Sequence, residues 1–580
     1  MLSTGTLTRP LMRSVGVQSD LPCQCDASRD FEYARPLTCS SPIPTYDDDQ
    51  TSSSESGAQD TDDSDFDPDP DAYPKGDVMS TSTESAPSVT DPHVPPYQER
   101  KYIVFRSCLL QLFRNCPCCH SEGRTVVTEL GSLIKVDFKC PDCSHSSQWN
   151  SQPFIGQMPS GNINLSAAIL FSGSLLSKAF HLLDTMNVAR NSRTTFYKHQ
   201  RMYLQPTIVT VWQTAQVGLL ERLSTMDGEL ILAGDGRSDS PGHCAKYGGF
   251  NTMECRINKV IDVQVVQSNE VGNSARCENE GLRRMIHFLR QAGHGVEAIV
   301  TDRHSQNTKF IREQMPDVKH YFDIWHVAKG LTKKLVSLAN KAGMEQVGDW
   351  RKSIINHLHW VAASTPDGDG QMMLAKWDSL LNHLVNKHHD HGDLFPACEH
   401  APLLDEARDK DWFAPESTEF GALSRVLDNK FLRKDVQKLS PIHQTSCLEA
   451  FHSLMLSFCP KHTSFSYLGM YCRLFLAALH YNENGDRGDA VDEEGNLKLI
   501  VTFPKAKKGE YSVRKSKGPP TYGYVSRLLE HLFENLTEDP GALEASLPEK
   551  FRDKPDFLAA SNHHPSREEA AAPYSTRYPN

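Results

Sequence analysis

No apolar run in the 580 residues approaches the ~20 that a membrane-spanning helix needs, so the chain is not expected to cross a membrane. Met1–Gly16 lacks the apolar core of a secretory signal, which predicts an intracellular, nuclear or cytosolic protein. No stretch repeats at a fixed period, which argues against a solenoid or propeller. The length excludes a single small binding module and predicts at least two folded units with linkers. Basic charge and aromatic residues are scarce in the first 97 residues, where 18 acids face five basic side chains. The rest of the chain carries 56 basic and 55 acidic residues, so any basic surface on the folded part has to be local.

Against those absences stand several concentrations. The leader is rich in acids, Ser, Thr and Pro and cannot bury enough apolar surface to offset its ordering entropy, so it is expected to be disordered. Sixteen cysteines occur in a chain long enough to build its core without disulfides. Paired cysteine spacings therefore favour metal, and lone cysteines favour core.

Hydrophobic patterning sets the organisation. Leu230–Ala233 and Ala298–Thr301 are continuous apolar runs suited to buried strands, and Val260–Val266 alternates, with Asp262 and Gln264 on the polar face. His320–Phe322 is a further strand, while Leu282, Met285, Ile286 and Leu289, then Val327, Leu331, Leu335 and Leu338, recur at helical spacing. Trp350, Trp360, Trp377 and Trp412 lie among many histidines with no strand signal. The reading is a disordered acidic leader (1–97), a Cys₄ zinc unit (98–155), a helical region (156–222), the first part of an α/β core (223–344), a helical insertion (345–438), the final core helices (439–484) and a basic, loop-rich tail with one helix (485–580). The fold class expected is α/β, a mixed sheet flanked by helices with an inserted all-helical subdomain.

The most specific chemical signal is Cys116-x-x-Cys119 with Cys140-x-x-Cys143, which can set four thiolates tetrahedrally around a structural zinc ion. Two aspartates, Asp235 and Asp302, each end a buried apolar run, where an α/β sheet displays side chains to ligands. Each alone is equally a turn former; together with a third acid they can hold two divalent cations, Mg²⁺ or Mn²⁺. Glu449, on the predicted helix Cys447–Phe458, offers that acid, or else is a solvent-facing glutamate paired with His452. Asp323 and His326 sit where a strand gives way to a helix, so Asp323 is an N-cap or both face the acids. In the insertion, His388, His389, His391, Cys398 and His400 are dense enough for a second zinc, with His389, His391, Cys398 and His400 as the ligand set, or are loop histidines. The helices of Leu165–Arg201 resemble a helix-turn-helix, with Arg190, Arg193, Lys198 and Arg201 placed for DNA, or simply pack together. A basic group between Lys505 and Lys517 reads as a nuclear localisation signal, a phosphate-contacting arm or a solvated loop.

The ordered set Asp-Gly-Arg (235–237), Thr-Asp-Arg-His (301–304), Asp-x-x-His (323–326), a helical insertion and Glu-x-Phe-His (449–452) resembles the DDE/D transposases with a ribonuclease-H-like core. The Asp-x-x-His element resembles that of the hAT, Mutator, P and Kolobok-like superfamilies. Tyr321–Lys329, Ser268–Gly272 and Leu476–Asn484 resemble a group of animal proteins derived from such transposases, and the likeness spans about residues 105–535. It implies a ribonuclease-H-like sheet, with Asp235, Asp302 and Glu449 as metal-binding catalytic acids and Asp323 and His326 as accessory groups. The chain departs from relatives that begin with a THAP-type zinc finger, having the acidic leader in its place.

The expected function is therefore that of a nuclear, transposase-like DNA-binding protein with a two-metal phosphodiester cleavage and strand-transfer core. The alternative is a domesticated transposase that serves as a DNA- or chromatin-binding scaffold without catalysis. DNA is the expected partner; a homodimer, and protein partners recruited by the acidic leader, are compatible further associations.

Overall fold

A computed structural model describes residues 94–240, 245–400, 410–441, 446–461, 463–503, 511–552, 555 and 565–575. The leader up to residue 93, and Lys505, Lys507 and Lys508 of the basic stretch, lie outside the described residues. The described chain falls into two compact units that divide at Gly161 and Asn162, with a short stretch between Val501 and Val513 joining the smaller one.

The smaller unit holds a short helix α1 (Arg106–Gln111) and an antiparallel sheet of β1 (Arg124–Leu130), β2 (Leu133–Lys139) and β3 (Ser146–Asn150), followed by the two-residue strands β4 (Phe154–Ile155) and β5 (Met158–Pro159). Gly131, at φ +64°, permits the tight turn that pairs Leu130 with Leu133. Phe138 packs on Cys116 and Cys140, and Leu133 and Val136 of β2 are buried as well.

The larger unit opens with helices. These are α2 (Ser160–Phe171), α3 (Leu176–Thr185), α4 (Arg193–His199), a π-turn at Gln200–Leu204 and α5 (Gln205–Ser224). Ile169, Phe180 and Phe196 bind the first three helices into a cluster, and Ser192 caps α4 by accepting from Thr195 N at 3.0 Å.

A five-stranded mixed sheet follows, built from β6 (Leu230–Ser238), β7 (Tyr247–Glu254), β8 (Lys259–Gln267), β9 (Val296–Thr301) and β10 (Lys319–Phe322) in the order β10-β9-β6-β7-β8. β6, β7 and β8 are antiparallel neighbours, while β9 and β10 run parallel to β6. The parallel strands need crossovers, supplied by α6 (Cys277–Gln291) and α7 (Ser305–Gln314). The stripe Leu282, Met285, Ile286 and Leu289 of α6 meets Leu232, Phe250 and Ile299 in the main core. Glycines let helix and sheet close up: a Cβ on Gly281 would fall 2.6 Å from Phe250 Cβ, and one on Gly248 2.3 Å from Cys277 Cβ.

The alternation in Val260–Val266 predicts a strand with one polar, open face, yet β8 is buried on both. Asp262 and Gln264 lie inside because helices cover that face as well. Gln216 of α5 donates to Ile261 O at 2.8 Å, and the Gln264 amide donates to Asp262 Oδ2 at 2.7 Å. The Tyr471 hydroxyl accepts from Val265 N at 3.1 Å.

After β10 the chain enters α8 (Ile324–Ala339) and then, among the described residues, α9 (Glu345–Ala363), α10 (Gly370–Leu384), α11 (Thr418–Leu427) and α12 (Lys430–Val436). Trp350 and Trp377 are buried in this insertion, and the Trp377 indole donates to Leu427 O at 3.1 Å. The returning chain pairs with the strand it left: Ser440 N donates to Phe322 O at 3.1 Å. That closure delivers α13 (Ser446–Phe458) to β6 and β7, with Leu448, Phe451, Met455 and Phe458 buried along one stripe. The long buried helix α14 (Tyr467–Asn484) covers the sheet beside α5, where Trp212 stacks on Phe475 at 5.2 Å, and α15 (Gly523–Glu538) and α16 (Pro540–Ala545) also pack on α5. The tail expected to carry one helix thus holds more: α17 (Glu549–Arg552) and α18 (Arg567–Ser575) follow, and the short strands Leu499–Thr502 and Ser512–Lys515 pair ahead of them.

Candidate functional site

β6 and β9 align in parallel as far as Ala233 and Val300. Two residues further on stand Asp235, still on β6, and Asp302, just past the end of β9, close enough for their charges to interact. Asp302 begins the turn into α7 by accepting from His304 N at 2.9 Å. Asp323 follows β10 next door, its N–H donating to Thr301 O at 2.9 Å. Asp302 and Asp323 thus follow the ends of β9 and β10, while Asp235, which the apolar run suggested as a strand end, lies within β6, whose pairing with β7 continues to Ser238.

Helices bring two more carboxylates. Glu449 comes from the first turn of α13 and lies within charge range of both Asp235 and His326. Glu278, from the first turn of α6, lies against Gly236, the residue after Asp235, and accepts from Asn307 Nδ2 at 2.5 Å. Sequence reasoning missed Glu278, because an acid in a helix's first turn is ordinary. Its neighbour Glu280 has that ordinary role, pairing with Arg284 at 2.9 Å.

The electrostatics are those of crowded, poorly neutralised carboxylates. Burial, then the charges of Glu278 and Asp302, push Asp235 up to about 7. Burial and Asp302 take Glu278 to about 7 as well. Burial and Asp323 do the same to Glu449, against the pull of His326. Among the described residues these acids do not form a group whose ligand atoms all lie within 4.8 Å of one another.

Asp323 does both things its sequence context allows. Its carboxylate caps α8 by accepting from His326 N at 3.2 Å, and it accepts from the His326 Nδ1 position at 2.8 Å. Burial opposes protonation of His326, but Asp323, Asp235 and Glu449 together raise its pKa. The pairing of Glu449 with His452 is not found as the ring's main contact. His452 Nδ1 instead lies 3.4 Å from Asp235 Oδ2, and its Nε2 accepts from Asn251 Nδ2 at 3.0 Å. Burial lowers His452 to about 3, so it orients Asp235 without neutralising it.

In the smaller unit Cys116, Cys119, Cys140 and Cys143 bring their sulfurs within 4.8 Å of one another. Cys116 and Cys143 are 3.5 Å apart, as are Cys119 and Cys140. A tetrahedron of ~2.3 Å Zn–S bonds has edges of ~3.8 Å, so this group can hold a structural zinc ion. Both pairs use the same turn. Cys116 N donates to Ser121 O and Cys140 N to His145 O, each at 2.8 Å, and His120 and Ser144 take positive φ at matching places. Hydrogen bonds from the Ser121 backbone and hydroxyl lower Cys119 to about 6, toward the thiolate a metal requires. Cys118 stays outside the group.

In the insertion the set of His389, His391, Cys398 and His400 is not the one that gathers. The group is His383, His388, Cys398 and His400, with ligand atoms within 4.8 Å. The backbone explains the exchange: Cys398 N donates to His388 O at 3.0 Å, and His389 pairs with Ala397 one position on, so its side chain alternates to the other side. His391 Nε2 bonds to Lys387 O at 2.8 Å.

Of the basic residues on the early helices, Arg193, Lys198 and Arg201 are exposed. Arg190 is bound to Asp184 by two 2.7 Å bonds and lies 3.9 Å over the Phe180 ring, which gives it a structural task. A scan against protein-family models finds none that matches the chain, and a search of curated proteins finds no match.

Proposed function

We propose that this is a transposase-like nuclear DNA-binding protein whose larger unit has a ribonuclease-H-like, DDE-type centre for phosphodiester cleavage and strand transfer. The observation that carries the reading is the convergence of Asp235, Glu278, Asp302 and Glu449 at the edge of the mixed sheet, three of them held near pKa 7 by burial and mutual charge. The order of the elements supports it too, with the third acid arriving on the helix after the insertion, where the resemblance to DDE/D transposases puts it.

Asp235, Asp302, Glu449 and Glu278 would hold Mg²⁺ or Mn²⁺, which when bound activates water or a 3′-hydroxyl for in-line attack and stabilises the leaving oxygen. The chain's own groups set up that chemistry. His452 and Gly236 fix where Asp235 and Glu278 point. Asp323 holds the raised-pKa His326 beside the acids, where an imidazolium can meet a phosphate oxygen or pass a proton. The helices α2–α4 would approach the duplex through Arg193, Lys198 and Arg201.

The test is incubation of the purified chain with labelled supercoiled plasmid and Mg²⁺ or Mn²⁺. Nicking is expected from the wild type and a loss of orders of magnitude from Asp302→Asn and from Glu449→Gln. Nicking retained by both variants would refute the catalytic assignment. Salt-sensitive DNA binding with no metal-dependent cleavage by the wild type would replace it with a DNA-binding scaffold.

A further inference from the structure

The group in the insertion is separate from the acid centre and contains no carboxylate. His383 sits in the last turn of α10, which ends at Leu384. Asn386, at φ +60°, turns the chain back, and Lys387 N returns to Asn382 O at 3.0 Å. The 3.0 Å bond from Cys398 N to His388 O then sets His388 and Cys398 side by side. His400 follows two residues later, at a bend, and brings its ring to the same place. Four ligating side chains from a helix end and both arms of its loop therefore point at one place.

The distances suit a small tetrahedral ion. Cys398 Sγ is 3.6 Å from His383 Nδ1, and the three imidazole centroids lie 4.9–5.2 Å apart with planes near perpendicular. Zn–N bonds of ~2.0–2.1 Å and a Zn–S bond of ~2.3 Å give an N–S edge of ~3.6 Å in a tetrahedron. The donor set, three borderline nitrogens and one soft thiolate, favours zinc over Mg²⁺. Outer contacts also fit: Asn386 Oδ1 accepts from His388 Nε2 at 3.0 Å, which leaves Nδ1 of that ring as its ligand atom. The Trp412 ring packs 5.4 Å from His383 and 5.5 Å from His388, and Trp350 lies 6.1 Å from His383, an aromatic wall on one side.

We propose that His383, His388, Cys398 and His400 form a second zinc site, which ties the end of α10 to the loop after it. Four protein ligands leave no open position, so the role is structural. The site braces the insertion whose return strand segment leads to Glu449, and it stands whether or not the acid centre cleaves DNA.

The test is zinc content by plasma mass spectrometry on the full chain, with thiolate-to-metal absorption after exchange into Co²⁺. Two zinc ions per chain are expected for the wild type, one for His400→Ala and for Cys398→Ser, and two for the control His389→Ala/His391→Ala. His400 is exposed, so its variant keeps the test open where Cys398→Ser does not fold. In a Cys116→Ser/Cys119→Ser background one ion should remain, with a one-thiolate Co²⁺ spectrum. A wild type with a single zinc, His400→Ala and Cys398→Ser that both keep two, or a control that loses one would overturn the proposal.

Discussion

Gly236 leaves the space that the Glu278 side chain occupies: a Cβ built on Gly236 would lie 2.2 Å from Glu278 Cγ and 2.4 Å from its Oε2. The strand that carries Asp235 is thus bare at the next position, where a helix lowers a second acid onto it. Gly236→Ala should displace Glu278 while leaving the sheet intact. Glu278→Gln should weaken Mn²⁺ binding, followed by calorimetry, by about 10–100-fold. Gly236→Ala should copy that loss, and a Gly236→Ala protein with wild-type Mn²⁺ affinity would separate Glu278 from the metal-binding set.

The raised carboxylates give a pH signature. Asp235, Glu278 and Glu449 have folded pKa values of about 7, above the ordinary 3.8 and 4.5. The folded chain therefore holds more protons than the unfolded one between those limits, and these groups favour folding less as pH rises toward 7. Buried histidines act in the opposite sense. His199 and His320, lowered to about 4 chiefly by burial, cost stability as pH falls below 6.5. Comparison with a variant isolates the acids. Metal-free Asp235→Asn should melt a few degrees above the wild type at about pH 8, with the gap closing at about pH 4. Mn²⁺ should raise the wild-type melting temperature more at about pH 8 than at about pH 5, where protons compete for the same oxygens. A gap that does not depend on pH would show that the acids are not crowded.

The four-thiol group should control the small unit alone. Besides the buried Cys116 and Cys140, its core holds only a few apolar side chains, Leu133, Val136 and Phe138 among the described residues, so little apolar burial stands behind the metal. Cys140→Ser, or strong chelation, should release one zinc, expose β1–β3 to protease and lower the melting temperature of that unit. The transition of the larger unit should stay in place. A chain whose smaller unit resists protease after complete loss of zinc would assign the fold there to the apolar contacts instead.

What could be read in the sequence was what local chemistry decides. Asp235 and Asp302 were visible because each ends a run of buried apolar residues, and the paired C-x-x-C spacings carry their geometry with them. β7 was not visible: Tyr247-Gly-Gly-Phe-Asn-Thr has glycines and polar residues in place of a strand pattern. Those glycines serve the fold, since Cys277 and Gln264 O crowd the positions where side chains would stand. Alternation puts Asp262 on the polar face of its strand and is silent about the helices that bury it there. Glu278 was hidden for the same reason, since its role depends on the close approach of α6 to Gly236. In the histidine-rich loop the density was legible and the membership was not: the register that faces His388 toward Cys398 also turns His389 away.

The early helices offer a direct separation of DNA contact from structure. Lys198 and Arg201 are exposed on α4 and the π-turn, Arg193 is exposed but also lies 5.9 Å over the Phe180 ring, and Arg190 is consumed by Asp184 and that ring. Removing the charge of a side chain that neutralises a phosphate lowers affinity on all sequences and reduces the slope of log K against log salt by ~0.9 for each phosphate so uncovered. Lys198→Ala and Arg201→Ala should each weaken binding to duplex DNA in this way and leave the melting temperature unchanged, while Arg193→Ala should weaken binding with at most a small loss of stability through its longer contact with the Phe180 ring. Arg190→Ala should do the reverse, lowering stability through the removal of a bidentate ion pair and a ring interaction while the salt slope holds. Fluorescence anisotropy across a salt series, beside thermal melts, distinguishes the two classes. A stable Arg190→Ala protein with a reduced slope would move the DNA-facing surface to the α3 side of the cluster.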